Sequence, residues 1–149
     1  MKQPNELDSH IFSTYKNLRW GMAGIAAGFP LLLFGLGRLY GISLQDSMSA
    51  YYFAEAGGEA PMRIWFVGIL FVLAAFLYLY KGFSDTENIA LNMTALFAFG
   101  VALFPMEWGC GEQCNPVTIH GACAVALFLC IAFVAIWCAN DTLPLLKNP

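Results

Sequence analysis

Four apolar runs, at 20–36, 64–80, 89–104 and 119–138, constrain this chain more than any other feature. A helix needs about 20 mainly apolar residues, with about 17 as a working minimum, to cross the hydrocarbon core of a bilayer. The fourth run reaches that length alone. The others reach it with their flanks: Arg38 and Lys81 can snorkel, Tyr40, Tyr78 and Tyr80 suit the interface, and Asn88 and Met106 extend the third run. The expected spans are 18–38, 63–81, 88–106 and 118–139. The expected fold is all-α, an integral membrane four-helix bundle forming a single domain over 1–149. Pro30 falls inside the first span and should kink it, which neighbouring helices tolerate in a bundle.

Composition agrees. Of the 149 residues, 59% are apolar and 11% charged, whereas a soluble domain carries about a quarter charged residues. The 13 Phe, 6 Tyr and 4 Trp suit packing in lipid and anchoring at its interfaces. Net charge is −3 without a basic patch, which excludes nucleic acid as a partner and leaves membrane lipids. About 19 mostly polar residues precede the first run, and it continues through Pro30 to Arg38 and Tyr40, so it reads as an uncleaved helix rather than a secretory signal.

Lys and Arg set the expected orientation. Lys2, Lys16, Arg19, Lys81 and Lys147 lie on one side and Arg38 and Arg63 on the other, five against two. That places both termini in the cytoplasm, with the membrane read as a bacterial inner membrane. Gly24 and Gly28 form a GxxxG pair, and Ala90, Thr94, Ala98 and Ala102 repeat every fourth residue. Small residues at this spacing let helices approach closely. Packing within the bundle is expected of them, with homo-oligomerisation through Gly24 and Gly28 as the alternative. The two helical hairpins share no repeated motif.

Three groups on the expected outer side could carry chemistry. Cys110 and Cys114 flank a Gly-rich loop that ends at Pro116. Thiols this close join on an oxidising side, and the short loop they close makes the bridge a local staple. A redox pair feeding electrons to quinone is the sharper reading, but the relay it needs, a Cys-x-x-Cys with a second exposed pair, is missing. Cys123, Cys130 and Cys138 fall roughly on one face of the fourth helix, where free Cys acts as a small apolar residue. In the first outer loop, Ser47, Ser49 and Tyr51 would point one way if the segment were extended. With Arg63 they could then bind an anionic or polar headgroup; the plainer reading is a Ser-rich turn and interfacial anchors. His120 opens the fourth helix near Glu107. It could shuttle protons, activate Ser49 as a base, or join Asp46 and Glu107 around zinc; the plainer reading is a hydrogen-bonded residue at the helix mouth. No catalytic or metal-site motif accompanies it, so no catalytic residue, metal or cofactor is assigned. Asn92, the one strongly polar residue within the bilayer, is expected to bond to another helix.

The segments Ser47-Met48-Ser49-Ala50-Tyr51-Tyr52, Arg63-Ile64-Trp65-Phe66-Val67-Gly68 and Tyr80-Lys81-Gly82 resemble a pattern of bacterial polytopic membrane proteins and, more distantly, proteins of the DRAM/Sfk type. Those have a Ser-containing first outer loop, an Arg- or Glu-led second helix ending in Phe, and a His opening a later helix, here His120. They usually have five or six helices where this chain has four. The resemblance implies a role in lipid organisation and supplies no catalytic residue.

These readings lead to an accessory or amphiphile-binding membrane protein acting through Ser47, Ser49, Tyr51, Arg63 and His120. The alternatives are a thiol–quinone oxidoreductase using Cys110 and Cys114, or a lipid-acting hydrolase using Ser49 and His120. Single cysteines introduced near Lys81 should be labelled only from the cytoplasm, and those near Glu55 and Glu112 only from outside. Cytoplasmic labelling at Glu112 would invert the topology.

Overall fold

The computed structural model describes residues 4–82, 84–115 and 117–138. Lys2, Pro116, Lys147 and the final residue of the expected fourth span lie outside them. The described residues form α1 (Pro4–Leu39), α2 (Met62–Leu79), α3 (Asp85–Leu103) and α4 (Ile119–Phe133), with one π-helical turn (Val134–Cys138) continuing α4. Each is long and apolar enough to cross a membrane, α4 together with its π turn. The fold is an all-α four-helix bundle. Among the described residues the only β feature is an isolated bridge between Ala56 and Glu59, closed by Gly57 and Gly58, whose φ values of 65° and 85° suit residues lacking Cβ.

Helix α1 starts much earlier than the expected 18. Its 36 residues span about 54 Å at about 1.5 Å each, against a hydrocarbon core of about 30 Å. Leu7, Ile11, Tyr15, Leu18, Met22 and Ile25 recur every third or fourth residue, a helical stripe that the intervening polar residues hide from a search for apolar runs. From Tyr15 onward the stripe packs against Leu73, Leu77 and Leu91, while Leu7 and Ile11 are exposed. The helix passes through Pro30. It stops at Gly41: Ile42 N–H donates to Gly37 O at 2.8 Å and Gly41 N–H to Arg38 O at 3.1 Å, a Schellman closure that needs the left-handed φ of 77° at Gly41.

The other helix starts follow from local chemistry. Pro61 precedes α2, where a missing N–H costs nothing. Ser84 caps α3 by accepting from Glu87 N–H at 3.2 Å, in the sequence Ser84-Asp85-Thr86-Glu87. That S-x-x-E pattern marks a helix start and explains why α3 begins before the expected 88. Thr118 caps α4 by accepting from Gly121 N–H at 3.0 Å.

The closely packed pairs are α1 with α2, α2 with α3, and α3 with α4. Thr94, Ala98 and Ala102 are buried in this packing, as their spacing predicts. At Gly100 the fit is closest: a Cβ there would lie 2.5 Å from Cys123 Sγ on α4. Cys138 is buried, and Cys123 and Cys130 are half-buried. Gly24 and Gly28 differ from the expectation of packing within the bundle, since a Cβ on either would meet nothing within 4 Å. Asn92 also departs from expectation: its Oδ1 is buried with no hydrogen-bond partner among the described residues.

Helices α1 and α4 face each other across a seam holding two apolar cavities of about 220 and 240 Å³, both bordered by Ala26, Leu73 and Ile131. At one end of the bundle the long α1–α2 connection folds over the helix ends. Its 3₁₀ turn, Ser49–Tyr52, buries Ala50 and Tyr51 and rests on α2. The Tyr51 ring lies against Gly37 of α1, where a Cβ would come within 2.9 Å of it. Phe53 stacks on Trp108, ring centroids 5.3 Å apart, joining this connection to the α3–α4 loop. In that loop Cys110 and Cys114 form a disulfide with Cα atoms 5.1 Å apart.

Two tests follow from this packing. Thiol labelling of unreduced, denatured protein should count Cys123, Cys130 and Cys138, and reduction should add Cys110 and Cys114. Labelling of all five cysteines without reductant would show the bridge to be absent. Gly100→Ala should destabilise the bundle by about 1–3 kcal/mol, the usual cost of overpacking, measured by unfolding in micelles. Cys123→Ala in the same chain should recover much of that loss, and an unaltered Gly100→Ala melt would refute the close α3–α4 approach.

Candidate functional site

His120 is the second residue of α4 after its Thr118 cap, and only 7% of its surface is exposed. Its Nδ1 lies 2.8 Å from the carbonyl oxygen of Phe104 and its Nε2 lies 2.9 Å from Ser49 Oγ. A carbonyl only accepts, so the neutral ring carries its proton on Nδ1 and donates it to Phe104 O. Nε2 is then the acceptor and receives the Ser49 hydroxyl proton. Phe104 caps the end of α3, where helix carbonyls lack intrahelical donors. One imidazole therefore closes the end of α3, opens α4 and holds the α1–α2 connection.

Ser49 is half-buried, at the start of the 3₁₀ turn. Together with Met48 it forms the mouth of the 220 Å³ cavity, whose deeper wall is Phe29, Phe66, Leu70, Val101 and Leu127. The hydroxyl thus stands where a polar lid meets an apolar interior. Ser47 and Asp46, a few residues earlier, are exposed, so polar, accessible residues adjoin the mouth.

The expected outer-face residues do not converge as one cluster. The Ser47–Tyr51 segment turns as a 3₁₀ helix rather than extending, so the alternation that would have aligned Ser47, Ser49 and Tyr51 is absent. Ser47 Oγ accepts from Ala50 N–H at 3.1 Å and serves as a local cap. Tyr51 is 3% exposed and its hydroxyl is buried without a partner among the described residues. Arg63 lies outside the wall of the Ser49 cavity. Its guanidinium sits 4.6 Å from the centroid of the Tyr52 ring, Nε donates to Tyr52 O at 3.4 Å, and it borders two open surface hollows. Arg63 and Tyr52 make a cation–π anchor. Of the five candidate residues, the fold joins Ser49 and His120.

The zinc reading gains nothing from this geometry, because both ring nitrogens of His120 already face protein oxygens. Glu107 instead accepts from Asn115 N–H at 2.6 Å. Glu107, Cys110 and Cys114 bring potential ligand atoms within 4.8 Å of one another, but the two sulfurs are joined to each other. The apolar seam has little signature in the sequence, since it depends on which helices fail to pack closely; Pro30 and Ala26 on its wall are its only local traces.

Comparison with protein-family models, with curated proteins and with solved structures found no match.

Proposed function

We propose that this chain is a multi-pass inner-membrane protein that binds a lipid or similar amphiphile in the α1–α4 seam. The hydrocarbon chain lies between the helices and the polar end reaches Ser49 and His120 at the mouth. Both termini face the cytoplasm and the mouth faces outward, the orientation supported by the distribution of Lys and Arg.

The observation that carries this reading is the junction of chemistries at Ser49. A hydrogen-bonded pair, the half-buried Ser49 hydroxyl and the buried His120 imidazole, stands directly above a cavity walled by Phe, Leu, Val and Ala side chains. Ligand sites combine mostly apolar walls with a few polar groups that fix orientation. The seam also adjoins α4, whose outer surface, including Val125, Phe128 and Leu129, is exposed, so a lipid can enter sideways from the bilayer. Arg63 and Tyr52 anchor the lid at the interface in this scheme.

Native mass spectrometry of gently purified protein should show a retained lipid, together with the stoichiometry of the chain. Ala26→Trp, an exposed position on the wall shared by both cavities, should abolish that retention while leaving the helix content intact. A wild-type protein that releases no lipid, or an Ala26→Trp variant that keeps it, would refute the seam as the site.

A further inference from the structure

We infer that the Ser49–His120 pair is an acyl-transfer dyad and that the amphiphile held in the seam is a carboxylic ester of a long-chain acid. This rests on the seam reading above and specifies its substrate.

A serine hydroxyl is a weak nucleophile unless an adjacent base takes its proton. His120 has the arrangement required: Nε2 is 2.9 Å from Ser49 Oγ, and the opposite nitrogen is fixed by a third group, the Phe104 carbonyl 2.8 Å away. That third group is neutral. It sets the tautomer as a carboxylate would, but stabilises the charged ring less, which points to slow turnover. Position favours an ester of a long chain. The hydroxyl opens onto an apolar cavity, so an acyl tail threaded between α1 and α4 brings its carbonyl to the level of the mouth, and water reaches the same point from the side of the exposed Ser47.

The chemistry balances without any further reagent except water. Ser49 Oγ forms a bond to the carbonyl carbon as its proton moves to His120 Nε2. The bond from that carbon to the alcohol oxygen breaks, and the proton on Nε2 passes to the leaving alcohol. The acyl group then rests on Ser49 Oγ, with its tail in the seam. Water attacks the same carbon, giving its proton to Nε2; the Oγ–carbon bond breaks and Ser49 recovers a proton from His120. The products are a free acid and an alcohol, with no change of oxidation state.

The test uses the full chain in micelles and a dodecyl fluorophosphonate, which bonds to an activated serine oxygen with loss of fluoride. Intact-mass measurement should show one adduct, and peptide mapping should place it at Ser49. Ser49→Ala should remove it. His120→Ala should slow its formation by about 100-fold or more, the scale of a general base, and Ser9→Ala on the opposite face should leave it unchanged. Because His120 also ties α3 to α4, His120→Asn with an unchanged melt provides the same comparison in a folded protein. Native mass spectra of the same samples separate the two readings. Retained lipid with no adduct at Ser49, or with an adduct indifferent to His120, would overturn acyl transfer and leave binding intact. Absence of both lipid and adduct would overturn both.

Discussion

One imidazole holds one end of this bundle together. His120 receives the Ser49 hydroxyl and donates to the Phe104 carbonyl, so the end of α3, the start of α4 and the long α1–α2 connection meet at a single buried ring. Neutral hydrogen bonds contribute only about 0.5–1.5 kcal/mol each, but a buried partner left unsatisfied costs about 1–3 kcal/mol. Losing the ring would strand the Phe104 carbonyl near lipid and free the Ser49 turn. In the acyl-transfer reading a structural and a chemical role would fall on the same atoms, since the bond that fixes the ring also decides which nitrogen is basic.

The rest of the bundle arranges itself around that clamp. Close approach at Gly100 and Cys123 holds α3 to α4, and the buried Ala98 and Ala102 lie in the same core. Helix α1 packs on α2 alone among the closely packed pairs. At the opposite end from His120, the Tyr15 and Tyr80 hydroxyls hydrogen-bond to each other and their rings lie 5.0 Å apart, fastening α1 to the end of α2. Fastened there and under the lid by Tyr51 against Gly37, α1 leaves its middle free of α4. The seam is the result.

How much of this was legible in the sequence depends on the range of the interaction. The four spans, the Cys110–Cys114 bridge and the buried stripe on α3 follow from run length, spacing and residue size, which are local. The start of α1 is marked by a 3.6-residue period rather than by an apolar run, and the start of α3 by the Ser84–Glu87 box. Ser49 and His120 were both singled out, yet 71 residues separate them, and nothing local says that a 3₁₀ turn aims Ser49 at α4. An extended segment would set Tyr51 beside the serines; its ring packs against α1 instead. Arg63 fits the headgroup chemistry in kind but stands over Tyr52, away from the seam.

Pro30, inside the first helix, has a consequence for the backbone around it. Proline has no N–H, so the carbonyl of Ala26, four residues earlier, is left without its usual helical donor. Ala26 and Pro30 both border the cavity beneath Ser49. In the proposed lipid-binding role, an acceptor of this kind would distinguish among guests by what they carry partway along their length. A plain hydrocarbon tail passes it without compensation, whereas a chain bearing a hydroxyl or an amide N–H at that depth can satisfy it. Such selection would be written into the backbone rather than into any side chain.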